Sequence, residues 1–378
     1  MTDHDELIWL PPRTVVSQVT ILAERLDYAH ELMNVPYMWR DTEGVGAKTC
    51  VIDTGVPEHV DLAVVDGDSV IPGYREDLNG HATHCGGIIS AIAHNDLGVA
   101  GVAPDNDDYY IAALGRDGGG SITGIATAIM RAVDNFGVDV ISMSLGVPDG
   151  YAIFSNLEAA CDYAVSQGVT VVCAAGNENS GVGQPAIYDS VIAVAAIDSD
   201  KDRAWFSNQG PELDFAAPGV DVYSTYLNNR YAKLSGTSMA CPMIAGVAAL
   251  IIAKHRAEGT ELSPAEVREH IGKIAFDIGG DGLDHSYGNG MPVFGKDPGS
   301  ALPPPVPPPV PPPSDDGKIK SNGLPQANCV YWKMFGEFVD ELSQGLDDQR
   351  SFDTSLAAAL RKVRKHKTAV NTLINGRG

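Results

Sequence analysis

The stretch Leu234-Ser235-Gly236-Thr237-Ser238-Met239-Ala240-Cys241-Pro242 sets one serine in a small, glycine-containing turn just before an apolar run, Ile244 to Ile252. A serine at the mouth of a buried helix has fixed geometry, with backbone N–H groups and the positive end of the helix dipole close by. A serine nucleophile needs that setting, because attack on a carbonyl creates an oxyanion that must be held. Alone, the same serine reads equally as a helix N-cap. The chemical reading therefore needs a base, an acid to orient it and a second oxyanion donor. Asp53 ends the short apolar run Thr49-Cys50-Val51-Ile52. His81 and His84 open a run of small residues in Asn79-Gly80-His81-Ala82-Thr83-His84. Asn177 follows another apolar run in Ala174-Ala175-Gly176-Asn177-Glu178. Each has an ordinary structural reading as a cap, a turn or a core histidine. Together they supply the full set for acyl transfer.

The elements that must hold these residues follow an α/β rhythm. Strands are expected at 49–52, 109–114, 138–145, 169–174 and 191–196, with helices at 82–93, 122–136, 157–167 and from 244. Continuous Val/Ile runs alternating with helices imply a parallel sheet covered on both faces. Ligands in such sheets bind beyond the carboxyl ends of the strands. Asp53, Ser144-Leu145-Gly146 and Gly176-Asn177 all stand at strand ends, so one edge of the sheet collects them.

The 378 residues carry a net charge of −23, and from Ala301 onward ten Lys/Arg face eight Asp/Glu, so the negative charge lies in the body. An acidic body argues against a nucleic-acid footprint. No uninterrupted apolar run reaches the ~20 residues that span a bilayer. The first ten residues, MTDHDELIWL, lack a signal-peptide layout, so a cytoplasmic protein is expected. Six cysteines without a framework spacing are expected as thiols.

Four segments are delimited. Residues 1–34 form a lead segment with an apolar, proline-ended strip, Leu7-Ile8-Trp9-Leu10-Pro11-Pro12, and an expected amphipathic helix through Val19, Leu22, Leu26, Ala29 and Met33, with Ser17 as N-cap. Residues 35–300 are the main domain. Residues 301–313 hold a polyproline spacer, and 314–378 a small helical region. That last region reads as a hairpin with a solvated basic face, or as a docking helix for an acidic partner or a membrane surface. Oligomeric state is left open.

The motifs VIDTGV, GHATHCGG, SMSLG, AAGNE and GTSMACP, in that order, resemble the subtilisin family of serine peptidases from about Tyr37 to Pro292. The resemblance implies a three-layer α/β/α sandwich with a mainly parallel sheet and a serine endopeptidase acting through an acyl-enzyme. It implies Ser238 as nucleophile, His81 as general base then acid, Asp53 as its orienting partner and Asn177 as oxyanion donor, with His84 structural. Polypeptide substrate is expected as an added strand between Ser144-Leu145-Gly146 and Gly118-Gly119-Gly120. The P1 pocket is expected from Ala174, Ala175, Gly176 and Gly183, with Glu178 at its rim.

Calcium is the implied cofactor, held by Asp61, the Asn95 side chain and the carbonyls of Ala93, Leu97 and Val99. A second, weaker cation site is expected at the carbonyls of Ala186, Tyr188 and Val191 with Asp198. Ala82 and Met243 depart from the family pattern, which commonly has Gly and His there. Cys85 resembles the thiol-bearing branch that includes proteinase K. Val35-Pro36-Tyr37-Met38-Trp39 resembles the start of the intracellular subtilisins, whose N-terminal extension blocks the active site. Leu7–Pro12 is expected to play that part, so deleting residues 1–34 should raise initial activity. The alternatives are a processing peptidase recruited by the C-terminal region, and a non-catalytic protein that keeps the peptide groove.

Overall fold

A computed structural model describes residues 7–10, 14–19 and 24–295, all within one compact unit, Met1–Pro305. Its centre is a seven-stranded sheet built from β3 (Lys48–Asp53), β4 (Val64–Ser69), β5 (Asp107–Ala112), β7 (Val140–Met143), β8 (Thr170–Ala174), β9 (Ile192–Ile197) and β10 (Phe215–Pro218). The order is β10-β9-β8-β7-β3-β5-β4, and every pairing is parallel. β7, β8, β9 and β10 are buried at every position, as expected of strands covered on both faces. Helices α3 (His81–Ser90) and α6 (Thr237–Ala257) pack together on one side. Helices α4 (Ile122–Arg131) and α5 (Ser155–Ser166) pack together on the other, giving three layers. β6 (Gly119–Ser121) precedes α4; β11 (Val222–Tyr226), β12 (Arg230–Ser235), α7 (Pro264–Ile274), β13 (Ala275–Phe276) and β14 (Met291–Pro292) complete the body.

Helix α6 is long and apolar enough to cross a membrane by length and composition, but its most apolar window is 94% buried in the core. Its alanines and glycine extend the helix well past the run Ile244–Ile252. A small side chain is required where it meets the loop before β5: a Cβ on Gly246 would stand 2.6 Å from that of Val102.

The N-terminal segment departs from expectation. In place of one helix from Val19 to Met33 there are two strands, β1 (Leu7–Trp9) and β2 (Thr14–Val19), and two short helices, α1 (Tyr28–Leu32) and α2 (Val35–Trp39). Ser17 lies within β2, where it pairs with Lys233 in the antiparallel β2–β12 ladder. Thr14, Val15, Val16 and Val19 suit a strand, and β12 supplies the ladder partners for their backbone groups. The helix cap is Asp27, whose carboxylate accepts from the N–H of Ala29 at 3.1 Å. The polyproline spacer and the expected helices of 314–378 lie outside the described residues.

Candidate active site

Asp53 is the last residue of β3, an interior strand between β7 and β5, and is fully buried. Gly80, at φ 92°, turns the chain so that His81 begins α3; a Cβ there would lie 2.6 Å from the Tyr226 ring. His81 Nδ1 stands 2.8 Å from each carboxylate oxygen of Asp53. Asp53 is further fixed by the Thr54 N–H at 2.7 Å. Ser238, second residue of α6, donates its hydroxyl to the Ser144 carbonyl at 3.3 Å, while Ser144 Oγ donates to the Ser238 carbonyl at 2.8 Å. His81 Nε2 is buried without a hydrogen-bond partner. In this structure the Ser238 hydroxyl is therefore bonded to the Ser144 carbonyl and not to His81 Nε2. Catalytic hydrogen bonds are commonly loose in resting enzymes. Cys85 links the two, with Sγ 3.8 Å from His81 Nδ1 and 3.4 Å from the Ser238 carbonyl.

Asn177 is held by its oxygen: Oδ1 accepts from the Thr237 N–H at 2.9 Å and Thr237 Oγ1 at 2.8 Å. That leaves the amide nitrogen over Gly236, where an added Cβ would stand 3.1 Å from it. The Nδ2 donor therefore faces the turn that carries Ser238.

Two positioning residues escape sequence reasoning. Asp77 is buried and accepts from Thr54 Oγ1, the N–H groups of Asn79, Gly80 and Thr83, and Thr83 Oγ1, at 2.6 to 3.0 Å. It locks the turn that delivers His81. Its spacing from Thr83 is that of a local cap, which is the one available signal. Asn208 is also buried; it accepts from the N–H groups of Glu178 and Ser180 and donates to the Ala175 carbonyl and Glu178. Nothing in its local sequence marks it. Ala82 is accommodated, its N–H bonding Thr54 Oγ1 at 3.1 Å, and Met243 is core. His84 bonds the Ala232 carbonyl of β12 at 3.0 Å.

The groove is lined by glycine where backbones approach. β6 carries Gly119 and Gly120, and a Cβ on Gly120 would meet the Ala113 carbonyl at 2.4 Å. β1 lies antiparallel on this rail, with Ile8 opposite Gly120 and Trp9 opposite Gly119. Leu10 donates its N–H to the Gly118 carbonyl at 3.0 Å. On the far side, β2 sets Thr14 opposite Ser235. Ser144 and Gly146 keep backbone near the nucleophile and Gln184 respectively, while Leu145 is buried in the core. Ala174 and Ala175 are buried, and Gly183 donates to the Ala175 carbonyl at 3.0 Å, so Ala174, Ala175, Gly176 and Gly183 adjoin. Glu178 Oε2 is turned back onto the Asn177 N–H and Asn208 Nδ2, both at 2.9 Å.

Asp61 and Asn95 come together at the first expected cation site, the Asn95 amide donating to Asp61 at 2.6 Å. The loop also holds the Leu97 N–H on Asn95 Oδ1 and the Val99 N–H on Asp61. Ala93 precedes two residues at positive φ, His94 and Asp96, that fold the loop tightly. Glu24, unforeseen from the sequence, accepts from the Asn95 N–H at 2.9 Å. Burial pushes the Asp61 carboxyl up to about 7, with the Glu24 charge adding to the rise, and burial raises Glu24 as well, with Asp96 adding to it. A buried Asp61 carboxylate with the half-buried Glu24 at the same loop, beside the Asn95 side chain and loop carbonyls, fits a hard cation such as calcium.

The second expected site does not fit. Asp198 caps its own turn through the N–H groups of Asp200 and Asp202. Asp214 takes its place beside Val191, and the Arg268 guanidinium donates to the Val191 carbonyl, to the Asp189 carbonyl at 3.0 Å and to Asp214 at 2.8 Å. Ala186 and Tyr188 are buried nearby in sequence, but a fixed organic cation already occupies the carbonyl meant for the metal. The sequence motif hid this because Arg268 lies 77 residues from Val191.

Residues 44–290 match the family model described as the subtilase family. The chain is 45% identical over 257 residues to subtilisin DY of Bacillus licheniformis, covering 66% of this chain and 89% of that protein. It is 42% identical over 255 residues to subtilisin Savinase of Lederbergia lenta, covering 67% and 90%. It is 44% identical over 257 residues to a thermostable alkaline protease of Halalkalibacterium halodurans, covering 67% and 68%. An aspartate-oriented imidazole beside a helix-start serine, on a parallel sheet of this order and with relatives of this identity, has one reading: the chain belongs to the subtilase family and is a serine endopeptidase of the subtilisin type.

Proposed function

We propose that Asp53, His81, Ser238 and Asn177 carry the reaction, and that the N-terminal segment holds it in check. The Ser238 hydroxyl swings from the Ser144 carbonyl to His81 Nε2, gives up its proton and attacks the scissile carbonyl. The imidazolium is stabilised by Asp53 and returns the proton to the leaving amine. The oxyanion is held by Asn177 Nδ2 and the N–H of Ser238, a first-turn donor of α6 without a partner in its own helix. Water then repeats the sequence on the acyl-enzyme. The observation that carries this reading is the two-oxygen contact of Asp53 with His81 Nδ1, which fixes the tautomer and leaves Nε2 as the base. A fluorophosphonate probe tests it: an adduct on Ser238 is expected, and none in Ser238→Ala. Labelling that persists in the variant refutes it.

Restraint is supported by the two paired segments that flank the nucleophile. β1 sits on the glycine rail in the manner of a substrate strand, and β2 lies on β12, whose last residue, Ser235, precedes Ser238 by three positions. Ser238 and His81 are both 0% exposed, which is not how a working peptidase presents its nucleophile. The three joining residues, Pro11, Pro12 and Arg13, lie outside the described residues; proline in such a run withholds a backbone donor. A deletion to residue 34 is too long a test, because it removes Glu24 from the cation loop and Asp27 from its bonds to Ala29 and Tyr223. Removal of residues 1–13 is the cleaner cut, and a higher initial rate is expected. Equal rates before and after removal refute restraint.

The proposal includes calcium at Asp61, Asn95 and the carbonyls of Ala93, Leu97 and Val99, where it neutralises the buried carboxylates and braces the lead segment through Glu24. A cytoplasmic setting belongs to the same proposal, supported by five free, buried cysteines among the described residues and checked by cell fractionation. Casein hydrolysis with and without residues 314–378 separates general proteolysis from recruitment by the C-terminal region.

A further inference from the structure

Backbone rails hold any polypeptide alike, because main-chain groups are common to every residue; selectivity comes from the side chains beside them. The rail Ser144–Gly146 stops short. The Val147 N–H donates to the Gln184 carbonyl at 2.9 Å, and the Gln184 N–H donates to the Val147 carbonyl at 3.0 Å, so the main chain of Val147 is spent inside the protein. Beyond it the chain turns outward into an exposed loop, 148–153, on which Tyr151 is 59% and Ile153 50% exposed.

This loop is fastened at several points. The Gln184 side chain holds it twice, Oε1 accepting from the Phe154 N–H at 2.8 Å and Nε2 donating to the Ala152 carbonyl at 3.0 Å. The Tyr188 hydroxyl donates to the same Oε1 at 2.8 Å and fixes the amide. Asp149 lies against Gly181, where a Cβ would stand 2.4 Å from its carboxylate. Residues 181–184 also carry Gly183 of the expected P1 pocket, so the loop is tied to the wall of that pocket. Single exposed apolar residues are ordinary. Val45, Val65, Leu78, Met130, Trp205 and Leu283 stand far apart in sequence, whereas Tyr151 and Ile153 fall two positions apart on a pinned loop where the rail ends. A tyrosine held in this way offers a large contact area at low entropic cost on binding.

We propose that Tyr151 and Ile153 are specificity-determining residues that receive large apolar side chains of the polypeptide substrate, five and six positions upstream of the scissile bond; this rests on the catalytic reading given above. The Ser144 carbonyl, bonded by the Ser238 hydroxyl, marks the level of the substrate residue whose carbonyl is attacked. With one substrate residue per rail residue, the fourth upstream residue falls at Val147, roughly 10 Å along. The fifth and sixth pass the loop. There the rail offers no backbone bond, so contact is made by side chains alone. Two side chains fall far short of the area that a stable contact between protein molecules needs, and they continue the peptide groove, so the substrate is the occupant rather than a second copy of the chain.

The test uses the full-length chain and two internally quenched peptides. They share the four residues before the scissile bond and everything after it. One carries Leu-Phe at the sixth and fifth upstream positions, the other Ser-Gly. The readout is the ratio of their kcat/KM values, in which any restraint by the N-terminal segment cancels because it weakens both alike. The ratio should be about tenfold in favour of the apolar peptide. It should fall to near one in the double variant Tyr151→Ser/Ile153→Ser, with each single variant between. A ratio near one in the wild type, or an undiminished ratio in the double variant, overturns the assignment. So does a dimer, seen by sedimentation, that the double variant abolishes, because it gives the pair to a second copy. Failure to cleave either peptide overturns the catalytic reading together with this assignment, whereas cleavage of both without preference overturns this assignment alone.

Discussion

Ile8 offers a direct test of the proposed restraint without touching the proposed catalytic residues. Its side chain is fully buried and belongs to the main apolar cluster, although β1 is attached to the body through the short ladder to Gly119–Ser121. Truncation to alanine removes apolar surface worth about 2 kcal/mol. Because β1 can lift away without unfolding the sheet, that loss falls on the docked state rather than on the fold. About 2 kcal/mol shifts the docked-to-free ratio by roughly 30-fold, since 1.36 kcal/mol is a factor of ten. The initial rate on a fluorogenic peptide should rise by up to the same factor. Rates are read in the first minute, with mass spectrometry confirming an intact N-terminus, and Ile8→Leu serves as the volume-conserving control. An intact Ile8→Ala protein turning over at the wild-type rate refutes the reasoning, as does an equal rise in Ile8→Leu.

Replacing Asn177 with leucine should lower kcat by about 10²–10³ with KM little changed, a magnitude measured in subtilisin and so inherited from the family rather than worked out from this structure; steady-state kinetics on the truncated enzyme check it. Chelation should lower the melting temperature, because the buried Asp61 carboxylate is left without a cation, and added calcium should restore it; an EDTA-treated protein that melts unchanged argues against the site. His59 is held neutral by burial, pushed down to about 4, with Nε2 on the Arg230 carbonyl and Nδ1 accepting from the Asp61 N–H. The unfolded chain takes up that proton first, so stability from His59 is complete above pH 6.5 and drains away toward pH 4. His59→Asn should therefore show a shallower fall in melting temperature between pH 6.5 and 4.5 than the parent. Burial raises Cys173 well above the usual thiol range and Cys241 to about 11. Alkylating reagents should therefore react slowly, and loss of activity with a mercurial should be absent in Cys85→Ala, which lacks the sulfur beside His81.

How far the sequence reaches depends on how local each constraint is. The central strands were legible because a strand buried on both faces must be a continuous apolar run, as β8 and β9 are. Edge strand β4, Val64–Ser69, carries Asp66 exposed and Gly67 and Asp68 on half-exposed positions, and shows no such run. The lead segment was misread as helical because three- and four-residue spacing is blind to the open edge of β12 that draws Thr14–Val19 into a strand.

The proposed catalytic set is legible in the sequence: each of Asp53, His81, Asn177 and Ser238 sits in a short motif whose turn and strand-end positions follow from its neighbours. What tertiary structure alone decided was contact between distant residues. Asp77 and Asn208 brace the site, Glu24 reaches the cation loop across 71 positions, and Arg268 displaces the expected second cation from 77 positions away. No local pattern encodes such partners, because hydrogen bonds and charge pairs depend on distance in space, and folding brings those groups together only after the sheet and its helices have packed.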